Sequence, residues 1–199
     1  SRNFGKTVSL MKEILLEPRW DTAEFRMALS RTRNTLIQSE ARPASVASDR
    51  FMKLVYGPGH IFGYDIRGTR ESIERITPDI LKDFYERNFS PSVTSVYVAG
   101  NVSKDEVLEA LSPLEAEWQN GDVAFKSYEL PAAPDKSQIY FVDIPGSRQS
   151  VVYAGYLAMT RDNPDYVKAD FANYRMGGAF TSILNQILRE QKGFTYGAR

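Results

Sequence analysis

The sequence predicts an α+β fold, with antiparallel sheet carrying helices packed on one face. Three observations lead there. Apolar residues recur at helical spacing up to about residue 118 and again after Pro164. Residues 93–99, 139–144 and 150–158 read instead as strands, short and rich in Val, Ile, Tyr and Phe. Capping and turn residues stand at the boundaries between the two patterns.

Taken in order, Val8, Met11, Ile14 and Leu15 give residues 3–17 one apolar face, and Pro18 stops the helix. Asp21 followed by Glu24 is a capping-box pattern, and Phe25, Leu29 and Leu36 continue an apolar stripe with Arg26, Arg31 and Arg33 on the polar side. Pro43 lacks an amide hydrogen, so that helix ends before it; the next runs from about Ala44 to Tyr56. Residues 57–68 form a loop rich in glycine and aromatics. It holds His60, the only histidine. Thr77-Pro78-Asp79 opens a further helix, which stops before Pro91. After the strand at residues 93–99, Gly100-Asn101 turns the chain. Ser103 to Glu106 is a full capping box for a helix whose buried stripe is Val107, Leu111 and Leu114. The stretch 119–137 has no period and carries Gly121, Pro131 and Pro134, the composition of a connection. Two strands then flank Pro145-Gly146-Ser147, and a helix starts near Pro164 and breaks at Gly177-Gly178.

Forty-two per cent hydrophobic and 25% charged residues describe an ordinary soluble globular chain of one or two domains. Basic and acidic side chains number 25 each, so the net charge gives no electrostatic grip on nucleic acid or acidic lipid. With no cysteine there is neither a disulfide framework nor a thiolate metal site, and the compartment is left open. No apolar run approaches membrane-spanning length, and no signal-peptide pattern opens the chain. The chain begins on a helical pattern and ends at Arg199 in what reads as a continuing strand. Both are expected of a piece of a longer protein.

The most informative stretch is the last. After Gly177-Gly178, Phe180, Ile183, Leu184, Ile187 and Leu188 fall at helical spacing. Arg189 and Lys192 lie in the last turn, Gly193 stands where a left-handed C-cap is wanted, and Phe194-Thr195-Tyr196 reads as a strand beginning. Glycine turns the chain there without a Cβ clash, so Arg189 and Tyr196 are candidates to share one side of a helix-to-strand corner. A guanidinium beside a phenol suits a peptide carbonyl or carboxylate. The plainer alternative is that Arg189 answers the helix dipole and Tyr196 packs half-buried.

The pattern Gly177-Gly178, Ser182, Leu184, Leu188-Arg189-Glu190, Gly193 and Tyr196 resembles the insulinase-type zinc peptidases, the family of pitrilysin and mitochondrial processing peptidase. Gly57 to Ile73, with Pro58-Gly59-His60, is similar to a packing loop of that family remote from its metal. Gln149 and Gly155 fit its Pro-Gly…Gln-Ser-Val…Gly segment. The resemblance implies processing-peptidase-like repeats, both incomplete here: the later half of one at 1–121, a linker at 122–136, and the earlier half of the next at 137–199. It also implies that Arg189 and Tyr196 hold a peptide substrate opposite a zinc carried by another half.

The metal chemistry itself is expected elsewhere. A zinc hydrolase needs three protein ligands and a base, and the family draws two histidines and that base from a His-x-x-Glu-His helix. One histidine cannot supply this motif. Aligning residues 37–40 with the family places Thr35 at the third ligand's position, and a hydroxyl is a poor substitute for a carboxylate on zinc. Glu40 lies five residues on, about 500° round the helix from that face. The expectation is a chain without metal or cofactor of its own, inactive alone, and part of a zinc metalloendopeptidase when paired with a zinc-bearing half in the same polypeptide or another subunit. The alternative is a non-catalytic scaffold module of the same family.

Overall fold

The computed structural model describes residues 3–132 and 134–199. Contacts divide the chain into two compact units, Ser1–Tyr153 and Ala154–Arg199. Among the described residues the regular structure is entirely helical.

In the first unit α1 (Phe4–Leu16) buries Val8, and α2 (Thr22–Glu40) buries Leu36. Asp21 caps α2 as its spacing predicts: one carboxylate oxygen accepts from the amides of Ala23 at 2.8 Å and Glu24 at 2.9 Å. Pro43 both follows α2 and opens α3 (Pro43–Tyr56), where its missing N–H would have had no helical partner. A 3₁₀ turn (Ile61–Gly63) and the short α4 (Arg70–Ile73) come next; Ile73 is buried, and Thr69 and Ser72 cap α4 reciprocally. Arg70 meets Glu40 at 3.0 Å and Arg33 meets Glu74 at 3.2 Å, linking α2 to α4 and to the residue that ends it. Both pairs are exposed and add little stability. Thr77 caps α5 (Pro78–Asn88), on which Tyr85 stacks on Phe89 and meets Trp20 edge-on. Ser103 and Glu106 form the predicted capping box of α6 (Lys104–Glu117), which buries Leu114 and ties to α1 through Lys12 and Glu117 at 2.6 Å. Pro113 interrupts the ladder of α6. The hydroxyl of Ser112 donates to the Glu109 carbonyl at 3.0 Å, the oxygen that Pro113 leaves without an amide.

The predicted antiparallel sheet is not formed. Residues 93–99, 139–144 and 150–158 make no strand and no ladder among the described residues, so the α+β expectation is overturned in favour of a helical chain. The physical reason is that β-branched and aromatic composition records only a segment's fitness for a sheet, whereas a ladder needs a partner in register. The turn between the second and third segments does form: Gly146 sits at φ 80° and the Ser147 amide donates to the Ile144 carbonyl. The flanks do not pair across it. At the first segment, local bonding takes over where the strand should begin. Pro91–Val93 is a 3₁₀ turn, and the Thr94 hydroxyl donates back to the Ser90 carbonyl at 2.8 Å.

The second unit contains α7 (Tyr166–Asn173), a wide π turn (Tyr174–Gly178), and α8 (Ile183–Asn185) continued by a second π turn (Gln186–Gln191). Ser182 caps α8, so the last helix starts after Phe180 rather than at it. None of the helices described is long and apolar enough to cross a membrane.

Candidate functional site

The site predicted at Arg189 and Tyr196 lies wholly in the second unit, on the last helical segment and the residues after it. Its frame begins at Gly177 and Gly178, which close the first π turn. Ala179 then leaves the helical region, at φ −115° and ψ 157°. The Ala179 carbonyl accepts from the Ser182 amide at 3.0 Å and from Asn185 Nδ2 at 3.1 Å. Ser182 is buried, and its hydroxyl accepts from the Asn185 amide at 3.4 Å.

Arg189 sits in the second π turn. Its guanidinium lies over the Phe180 ring, 4.2 Å from the ring centre, which is cation–π geometry. The side chain is 31% exposed, and Nη1 stands 3.6 Å from a carboxylate oxygen of Glu190. That carboxylate offsets charge without accepting a hydrogen bond. Nη1 is buried and has no hydrogen-bond partner among the described residues. A buried donor left over in this way is the kind of group a ligand acceptor would satisfy.

The predicted C-cap at Gly193 is present. Gly193 has φ 63°, its amide donates to the Arg189 carbonyl at 3.1 Å, and the Phe194 amide donates to the Leu188 carbonyl at 2.8 Å. The strand expected at Phe194-Thr195-Tyr196 is absent, because Thr195 bonds locally instead. Its hydroxyl accepts from the Gly197 amide at 3.1 Å and donates to the Gly197 carbonyl at 2.9 Å, bending the chain at Tyr196. Tyr196 is 91% exposed and its phenol faces solvent, so the alternative of a half-buried packing tyrosine does not hold. Arg189 is on the helical segment and Tyr196 three residues past Gly193; no hydrogen bond joins Arg189 Nη1 to the Tyr196 hydroxyl.

Two residues here were not singled out from the sequence. Phe180, read as part of an apolar stripe, is the platform under Arg189. Asn185 is buried, with Oδ1 accepting from the Ala198 amide at 2.8 Å. The available signal was an amide side chain among Ile183, Leu184, Ile187 and Leu188.

The two residues weighed as zinc ligands are engaged locally. His60 is buried against Tyr56, Phe62 and Tyr128, and its Nδ1 accepts from the Phe62 amide at 3.1 Å. Thr35 spends its hydroxyl on the Arg31 carbonyl at 3.0 Å. Among the described residues no group of three or more His, Asp or Glu side chains is placed to hold a metal ion.

Residues 75–199 match the family model described as the peptidase M16 inactive domain. The chain is 23% identical over 168 residues to an "Uncharacterized zinc protease" of Streptomyces coelicolor, covering 81% of this chain and 36% of that protein. It is 22% identical to the "Uncharacterized zinc protease YmxG" of Bacillus subtilis (95% of this chain, 45% of the relative). It is also 22% identical to the "Non-peptidase homolog YmxG" of Helicobacter pylori (96% and 44%). The chain thus spans less than half the length of these curated relatives. In fold it is similar to the crystal structure of a peptidase M16 inactive domain from Pseudomonas fluorescens. The TM-score is 0.78 at 22% identity, covering 96% of this chain and 46% of that one.

Proposed function

This chain belongs to the peptidase M16 inactive-domain family, and from that premise we propose that it is the zinc-less half of a metallopeptidase, presenting Arg189 and Tyr196 to a peptide held at a partner half. The observation that supports this reading is the state of Arg189: among the described residues its Nη1 is a buried donor without an acceptor, while Tyr196, seven residues on, is in solvent. A peptide carbonyl or carboxylate would complete the guanidinium, and the phenol supplies a second hydrogen bond. In this reading any zinc belongs to the partner half, and this chain's contribution is to bind and orient the substrate. The division into two repeat pieces, 1–121 and 137–199, joined by 122–136, is part of the same proposal.

Arg189→Ala and Tyr196→Phe, made in the complete protein, test it. A charge-assisted contact to a carbonyl or developing oxyanion is worth about 2–4 kcal/mol, so turnover should fall roughly 30- to 1000-fold with helix content unchanged. Phe keeps the ring and removes only the hydroxyl, which makes it the sharper variant. Full turnover in both variants would end the substrate-binding claim.

A second reading is favoured by one observation: a relative of equal similarity carries the name of a non-peptidase homolog. As a scaffold module the chain would keep the same residues for folding. Its Arg189→Ala variant would then melt earlier, by loss of the Phe180 contact, with unchanged activity per folded molecule.

A further inference from the structure

We propose that Asn185 sets where Arg189 and Tyr196 stand relative to one another, as a positioning residue for the peptide-binding role above, on which this inference rests. Asn185 is 6% exposed, between the apolar pairs Ile183-Leu184 and Ile187-Leu188. A buried amide must place an acceptor and its donors, a demand that a leucine, branched alike but larger, would not make. The two ends of the Asn185 amide reach two different segments. Nδ2 donates to the carbonyl of Ala179, in the turn whose next residue, Phe180, carries the Arg189 guanidinium. Oδ1 accepts from the amide of Ala198, two residues beyond Tyr196. One side chain therefore couples the platform of one candidate to the segment of the other.

The same joint is closed at the backbone. A Cβ added to Gly177 would stand 3.1 Å from Leu184 Cδ1 and 3.3 Å from the carbonyl carbon of Arg199. The turn before the helix and the residues after Tyr196 thus touch, and Asn185 spans that contact with directional bonds. Ser182 holds the Asn185 backbone from below and shares the Ala179 carbonyl with Nδ2, so the amide has little freedom to swing.

Two substitutions separate the arms. Asn185→Asp keeps an oxygen for the Ala198 amide and offers no donor to the Ala179 carbonyl. Asn185→Leu keeps the branching, adds some volume and removes both bonds. In the complete protein, amide hydrogen exchange should rise about 10-fold or more across 194–199 in the leucine variant. In the aspartate variant 194–199 should stay protected while 179–183 loosens. Turnover of fluorescein-labelled casein should fall roughly 10- to 100-fold in Asn185→Leu at unchanged helix content, since displaced contact groups cost rate even when the fold survives. Should the leucine variant fail to fold, the aspartate pattern decides: selective loosening of 179–183 supports the coupling, and uniform loosening of both segments overturns it. Unchanged exchange at 194–199 in a folded Asn185→Leu also overturns it, whatever the turnover. The peptide-binding reading fails differently, by full turnover in Arg189→Ala and Tyr196→Phe with the native exchange pattern retained.

Discussion

One buried hydroxyl, on Ser90, fastens the residues that follow α6 to the end of α5. Ser90 is 2% exposed; its Oγ accepts from the Gly121 amide at 2.9 Å and lies 2.9 Å from the Gly121 carbonyl oxygen. Ser92 donates to the same carbonyl at 2.8 Å from a more exposed position. The two serines are therefore not equivalent. Ser90→Ala removes the buried hydroxyl that meets both the amide and the carbonyl of Gly121 and should cost about 1–2 kcal/mol in urea unfolding, while Ser92→Ala leaves the carbonyl served and should cost about 1 kcal/mol or less. Equal losses from the two would show that the amide of Gly121 finds another partner. The same accounting explains which site residues could be read from sequence. Gly193 announces itself because only glycine enters its φ cheaply, and Arg189 because it stands in the helix's last turn. Asn185 does not, since its importance lies in bonds to residues 179 and 198 that sequence spacing gives no reason to join.

At the scale of the element, helix ends are chemically local and therefore legible. The side chains of Asp21, Thr77 and Ser103 each bond the amides two or three residues on, as their spacing demands. Strands are not local. The β-branched and aromatic composition of 93–99, 139–144 and 150–158 suits strands, but a partner strand is something no single segment can contain. The capping carboxylates carry a pH dependence of definite sign. The Glu106 carboxyl is held below its ordinary range by the Ser103 amide and then its hydroxyl, and Asp21 by the amides of Glu24 and Ala23. Folded values below unfolded ones mean that this stabilisation is complete above the ordinary carboxylate range and is lost as pH falls through the depressed values. Acid titration followed by far-UV circular dichroism should show helix lost as pH falls below the ordinary carboxylate range. Asp21→Asn and Glu106→Gln, which keep an acceptor but cannot titrate, should flatten that limb while leaving the neutral-pH signal near wild type. An acid limb unchanged by both substitutions would assign it to other carboxyls.

At the scale of the whole molecule, the segments that read as strands leave their apolar side chains in water. Ile139 is 99% exposed, Phe141 89% and Val152 85%, all within the first unit. Large apolar side chains exposed in succession favour association, since each contact removes them from water at about 25 cal/mol per Å². Nothing electrostatic opposes it, because 25 basic and 25 acidic residues leave no net charge to repel a second copy. This chain in isolation should therefore self-associate, its weight-average mass in sedimentation rising with concentration. The apolar origin makes a further demand. Ammonium sulfate should strengthen the association, whereas an association built on ion pairs would weaken with added salt. Replacing Ile139, Phe141 and Val152 together by lysine should lower it by removing apolar area and adding like charge at one place. A profile that stays monomeric at high concentration and does not respond to sulfate would mean that these side chains find cover within the chain itself.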